Sequence, residues 1–152
     1  MFFKRAMSTS PINKDVGLLL IRMGIGFSMM AFHGYDKITG GTQLWAGVGA
    51  NMSHLGIGFA PVFWGFLAAF AEFAGSILLI LGVLFRPAAL MLAFTMFVAI
   101  LTHMNMPSDA PRAGLSGASH AIELMIVYVG LFLTGPGRYA FRLIGKHDLK
   151  NK

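Results

Sequence analysis

Six ionisable residues stand within or at the edges of long apolar segments, where such side chains are rare: Arg22, His33, Glu72, His103, His120 and Glu123. Glu72 is the clearest case, because it lies near the middle of GFLAAFAEFAGSILLILGVLF, residues 65–85. In a bilayer such a carboxyl group costs about 2–3 kcal/mol even on insertion-based scales. Any one of these residues can serve helix packing alone, whereas the whole group indicates a functional site.

Glutamates and histidines in an apolar setting can exchange protons with a bound molecule and form hydrogen bonds to it. They are also metal ligands, and His120 and Glu123 are three residues apart. Di-metal helical bundles, however, use a Glu-x-x-His motif on each of two helices together with two further glutamates. This chain has one such pair, in reversed order, so we expect no metal. A quinone headgroup is flat and apolar and has two carbonyl oxygens, so it matches these side chains better than a metal ion does.

The elements that must position these residues are four apolar segments of roughly the 20 residues needed to cross a bilayer. They cover about residues 15–35, 61–85, 87–106 and 118–137. The composition agrees, with 56% hydrophobic and 12% charged residues among 152. We therefore predict an all-α integral membrane four-helix bundle, a single transmembrane domain over residues 1–152 with a basic tail from 138 to 152.

The charges predict orientation rather than a nucleic-acid partner, although the net charge is +6. Of the twelve lysines and arginines, nine fall on the side of the two termini, Lys37 and Arg112 fall on the other side, and Arg22 lies within the first segment. Positive residues accumulate on the cytoplasmic side, so both termini should be cytoplasmic. The chain has no cysteine, which excludes disulfides and thiolate metal sites of its own.

Helical spacing predicts one polar face on each span, and we expect all four faces to point into the bundle. These faces are Arg22, Gly26, Met29 and His33; then Gly65, Ala68, Ala69, Glu72, Gly75 and Ser76; then Thr95, Ala99, Thr102 and His103; and finally His120, Glu123, Gly130 and Thr134. Counted along the spans, Glu72, Glu123, His103 and His33 should converge in the outer half of the bilayer.

Two connections are also informative. The Gly-rich stretch ITGGTQLWAGVGANMSHLGIGFAP is more apolar than a solvated loop, so it should lie at the interface or fold back onto the bundle. Pro87 in LFRPAAL suits the first position of a helix and predicts a tight antiparallel hairpin between spans two and three.

The same residues resemble the DoxX family of small bacterial membrane proteins. The resemblance rests on LLLIRMGIGFSMMAFHGYDKITG with its HG-x-x-K turn, on AEFAGSILLILGVLFRPAAL with AE-x-x-G, on MFVAILTHM, and on IELMIVYVGLFLTGPGRYAF with GPGRY. It covers nearly the whole chain. It implies a multi-pass protein of the bacterial inner membrane, a four-helix bundle linked to quinone-dependent redox systems. The polar residues it implies are Arg22, His33, Lys37, Glu72, His103 and Glu123.

Together these observations predict a quinone-interacting membrane subunit of an oxidoreductase system. Glu72 and Glu123 would accept protons, while His33, His103, Arg22 and Lys37 would bind the ligand. Expected partners are a membrane quinone and other subunits of a redox complex. Two alternatives stay open, a non-catalytic anchor or assembly subunit for a redox partner and a small-molecule carrier. Whether the chain is itself an enzyme, and whether it forms a homo-oligomer, also stay open.

Overall fold

The computed structural model describes residues 10–141, which form helices and no strands. We number the helices α1 (Lys14–Thr39), α2 (Gly41–Gly49), α3 (Pro61–Leu81), α4 (Phe85–Met104) and α5 (Gly114–Thr134). All except α2 are long and apolar enough to cross a bilayer, which confirms the predicted all-α four-span bundle. Most of the predicted basic tail, from residue 142 onward, lies outside the described residues. The sidedness of the termini stays a prediction.

The predicted tight hairpin between α3 and α4 is present, but Pro87 is not at the first helical position. Helix α4 begins at Phe85, so Pro87 is its third residue. Proline is tolerated there because the first-turn N–H groups have no partner within the helix. The three-residue turn before it uses positive φ angles at Gly82 (74°) and Leu84 (44°). A glycine adopts this conformation freely, whereas a leucine adopts it at a cost in backbone strain.

Helices α1 and α3 each contain one π-helical turn, Met30–Gly34 and Ala71–Gly75, and the two turns lie against each other. A π turn adds one residue to a helical turn and is frequent at functional sites. Gly34 makes the close approach feasible, because a Cβ atom there would come within 2.7 Å of the carbonyl carbon of Glu72. A close contact between the backbones of these two spans therefore lies at Glu72.

The apolar stretch after α1 folds back onto the bundle, the second of the two predicted placements. Helix α2 and the 3₁₀ helix Ala50–Leu55 pack along α3. The approach is backbone to backbone: a Cβ atom on Gly65 would collide with the carbonyl of Trp45, and one on Gly49 would collide with that of Pro61. This glycine contact brings α2 close enough to form one wall of the cavity described below.

Replacing Gly65 by alanine should destabilise the protein by roughly 1–3 kcal/mol, because a rigid backbone must move to admit the new methyl group. Gly47→Ala is the matched control, since Gly47 is exposed on α2 and a Cβ atom there meets nothing within 4 Å. Alanine at that position should be neutral or stabilise by up to about 1 kcal/mol. Melting temperatures of the two purified variants test this; equal destabilisation by both would contradict the glycine contact.

Candidate ligand-binding site

A cavity of about 380 Å³ lies between α2 with its 3₁₀ extension, α3 and α4. Its size falls within the ~300–1,000 Å³ typical of small-molecule sites. Most of its wall is apolar, with methionine, phenylalanine, valine and alanine side chains. Its polar side chains are few: Lys37, Asn51, Trp64, Glu72, Thr95, Thr102 and His103. An apolar wall with a few polar groups suits a flat, membrane-soluble molecule that carries a small number of hydrogen-bonding atoms.

Glu72 is the most deeply buried charged group of this cavity, with 1% of its surface exposed. Its Oε1 forms an ion pair of 2.6 Å with the Nζ of Lys37, whose side chain is 30% exposed. Its Oε2 has no hydrogen-bond partner among residues 10–141. Because a buried polar atom without a partner is costly, this oxygen is available to a bound molecule.

Two tryptophans, which the sequence interpretation did not select, complete the polar part of the site. The indole N–H of Trp45 donates to the backbone carbonyl of Lys37 (2.7 Å) and so ties α2 to the end of α1. Trp64 lines the cavity, and its buried indole N–H has no partner in the described part of the chain. The only signal was that Trp45 lies within the unusually apolar connection and that Trp64 follows it closely.

His103 lies on the cavity wall together with Thr95, Ala99 and Thr102, so the predicted inward face of the third span is confirmed. The Nδ1 atom of His103 is 2.8 Å from the backbone carbonyl of Arg112. A carbonyl can only accept, so Nδ1 carries the hydrogen and donates it. In the neutral ring the other nitrogen, Nε2, then has a free lone pair and can accept a proton.

Two buried hydroxyl groups extend the polar region beyond the cavity. Ser76 follows Glu72 by one helical turn, and Tyr128 belongs to α5; both are fully buried. Neither the Ser76 Oγ nor the Tyr128 Oη has a hydrogen-bond partner within the described residues. The sequence interpretation included Ser76 only as a small residue and did not include Tyr128.

The expected convergence of residues from all four spans is wrong for α5. His120, Glu123, Gly130 and Thr134 are all exposed, and the cavity lining includes none of them. The buried face of α5 consists instead of Ala118, Ala121, Tyr128 and Leu131, which pack mainly against α4. The apolar face of this helix therefore takes part in bundle packing, and its polar face points outward.

His33 is also outside the cavity lining. Its ring stacks on that of His120, with centroids 5.8 Å apart, and its Nδ1 is buried without a partner among the described residues. The contact joins α1 to α5, and neither histidine lines the cavity. His33 is therefore adjacent in sequence to Gly34, which packs against Glu72. The side chain of His33 nevertheless does not line the cavity.

Arg22 lies at the opposite end of α1 from the cavity, since fifteen residues separate it from Lys37, or about 22 Å along the helix. It is 1% exposed and donates to the backbone carbonyls of Pro136 (2.7 Å) and Tyr139. Its predicted inward orientation is confirmed, together with that of Gly26 and Met29. However, it binds the segment that follows α5 and is not brought to the cavity.

Metal binding receives no geometric support within residues 10–141, where no three histidine, aspartate or glutamate side chains are grouped as a metal site requires. Of the six site residues that the sequence predicted, the fold brings three to one cavity: Lys37, Glu72 and His103.

Comparison with known proteins bears on these residues directly. The sequence model of the DoxX family matches residues 17–105, more than half of the chain. The chain belongs to the DoxX family. The DoxX match includes Lys37, Glu72 and His103, and it ends before α5 begins. The cavity is thus built almost entirely from the part of the chain that the family model covers.

A curated relative supports the same assignment over a longer stretch. The chain is 32% identical over 137 residues to the inner membrane protein YqjF of Escherichia coli (strain K12), which covers 88% of this chain and 95% of the relative. No solved structure matches the chain. This DoxX family member is accordingly a multi-pass protein of the bacterial inner membrane.

Proposed function

We propose that this DoxX protein is a quinone-interacting membrane subunit of an oxidoreductase system and that the quinone headgroup binds in the cavity between α2, α3 and α4. The observation that carries the proposal is Glu72, a buried carboxylate with one oxygen paired and one oxygen free beside an apolar space of about 380 Å³. An apolar space between membrane-spanning helices suits a ligand that arrives from the lipid, the phase in which quinones dissolve. The headgroup brings two oxygens that exchange protons when it is oxidised or reduced.

The donors in the cavity fit the oxidised form of this ligand. The Lys37 ammonium has three hydrogens and donates one to Glu72, which leaves two for a carbonyl oxygen. The Trp64 indole N–H lacks a partner in the described part of the chain and can serve the second oxygen. Both are donors without any acceptor capacity, so they favour a ligand whose oxygens accept.

The acceptors fit the reduced form. Oxidation of a quinol releases two protons and two electrons, and the cavity wall holds two groups able to take the protons. Glu72 can accept one at its free Oε2, and His103 can accept the other at Nε2, since its Nδ1 already donates to Arg112. The electrons would pass to a redox partner protein. His103 is therefore a proton acceptor in this proposal, whereas Glu123, His33 and Arg22 have no direct part.

A quinone content measurement tests the proposal. The protein is purified from bacterial membranes, and extracted quinone is quantified by mass spectrometry for the wild type and for Ala99→Phe, which places a ring in the cavity. We expect the wild type to retain quinone and the variant to lose about tenfold, because a filled site costs at least roughly 1.4 kcal/mol of binding.

The matched control is Leu90→Phe, an equally large ring on the same helix at a position with 58% exposure. It should leave the quinone content unchanged. Quinone retained equally in both variants would place it elsewhere on the protein. Protein free of quinone in every form would instead favour the alternative of a non-catalytic anchor for a redox partner.

A further inference from the structure

The outward face of α5 carries two ionisable side chains deep within the span. His120 and Glu123 lie about 9 Å and 14 Å from the first residue of a helix about 31 Å long, at ~1.5 Å per residue. Both are exposed, and Glu123 has no ion pair or hydrogen bond to any described residue. A carboxylate at that depth is among the least favourable groups that a helix can present to lipid. This face therefore needs a cover that satisfies the carboxylate.

The rest of the same face is suited to close contact with another helix. Gly130 and Thr134 continue the stripe at helical spacing, and both are exposed. A Cβ atom on Gly130 would meet nothing within 4 Å, so the surface above it is open. Small residues allow helices in lipid to approach closely, which is the main source of attraction between them.

The charges on this face complement each other when the face is paired with itself. In a dimer with its two-fold axis along the membrane normal, the two copies of α5 run in parallel, and equal residues lie at equal depth. His120 and Glu123 differ by about 4.5 Å in depth, slightly less than the ~5.4 Å of one helical turn, and two such side chains span this distance together. Each copy then contributes one donor and one acceptor, and two equivalent His120–Glu123 pairs form across the axis.

We propose that this face of α5 is a homodimer interface and that His120 of each copy pairs with Glu123 of the other. A second copy fits better than an unrelated protein, because the face supplies both halves of its own polar contact at the correct spacing. The stacking of His120 on His33 links this interface to α1 one residue before Gly34, which packs against Glu72. The inference is independent of what the cavity binds.

Disulfide cross-linking in native membranes tests the interface, and the natural chain has no cysteine to interfere. Thr134→Cys introduces one thiol on the proposed face, and Phe97→Cys introduces one on an exposed position of α4. We expect mild oxidation to give a covalent dimer from the first protein and little or none from the second. Equal cross-linking of both would reflect random collision and would overturn the proposal.

A residue exchange tests the pairing itself in the Thr134→Cys background. His120→Glu alone places carboxylates opposite carboxylates, and Glu123→His alone places imidazoles opposite imidazoles; each should lower the cross-linked fraction about tenfold. The double variant His120→Glu/Glu123→His restores two pairs and should recover the dimer. Melting temperatures verify that each variant is folded. A cross-linked fraction that is unchanged in the folded single variants, or not recovered in the folded double variant, would overturn the pairing.

Discussion

Glu72→Gln should lower quinol-linked electron transfer by about 100-fold or more, the usual effect of losing a general base. The amide keeps the shape of the side chain but cannot accept a proton at the position of the free Oε2. Stability should change little, because Lys37 is 30% exposed and can turn its ammonium toward the interface when its partner becomes neutral. The measurement is quinol oxidation in membranes that contain the redox partner, together with the melting temperature and quinone content of the purified variant.

The control is Asp109→Asn, which removes one carboxylate from the exposed loop between α4 and α5. It should leave turnover within about twofold of the wild type, as expected for a surface change away from the site. A stable Glu72→Gln protein with full turnover would exclude the proton-acceptor role. Lost turnover together with lost quinone would show that Glu72 serves binding rather than proton transfer.

Arg22→Met should lower the free energy of unfolding by about 3–6 kcal/mol, since two hydrogen bonds from a charged donor are lost at roughly 1.5–3 kcal/mol each. The carbonyls of Pro136 and Tyr139 would then lack their donor in a partly buried place. Arg22→Lys should recover only part of the loss, because an ammonium lacks the forked geometry of the guanidinium. Thermal unfolding in lipid nanodiscs measures both variants.

Arg112→Met is the matched control, because Arg112 is exposed in the loop before α5 and its side chain has no described contact. This substitution should leave the free energy of unfolding nearly unchanged. The quinone content of folded Arg22→Met protein separates two roles. It should stay unchanged if Arg22 only ties α1 to the segment after α5, and it should fall if Arg22 binds the ligand. Unchanged stability of Arg22→Met would contradict the structural role.

The spans were predictable because length and apolar composition determine them. Observed boundaries differ from the predicted ones by up to four residues, as at Gly114, where α5 begins earlier than expected. Polar residues such as Ser116 lower the hydropathy of its first turn without preventing a helix. Apolar runs thus locate spans well but not the polar turns that extend them.

Side-chain orientation was predictable where a helix packs by its small or polar face, as at Arg22 on α1, Glu72 on α3 and His103 on α4. Two features defeated the same reasoning elsewhere. The π turn at Met30–Gly34 inserts one residue, so the period that places Arg22, Gly26 and Met29 inward does not bring His33 to the cavity. On α5 the rule that polar residues face inward failed, because Tyr128 and Leu131 fill the space beside α4 and leave Glu123 outside.

The partners of Arg22 were beyond any local pattern, because they are 114 and 117 residues away in the sequence. That separation has a consequence for synthesis on the ribosome. The first span enters the membrane with its arginine long before the accepting carbonyls have been made. Until then the guanidinium must extend toward the lipid headgroups, as arginine side chains near a membrane surface do. The hydrogen bonds between α1 and the segment after α5 can form only when translation has passed Tyr139. A chain truncated before Pro136 would therefore keep an unpaired arginine in its first span.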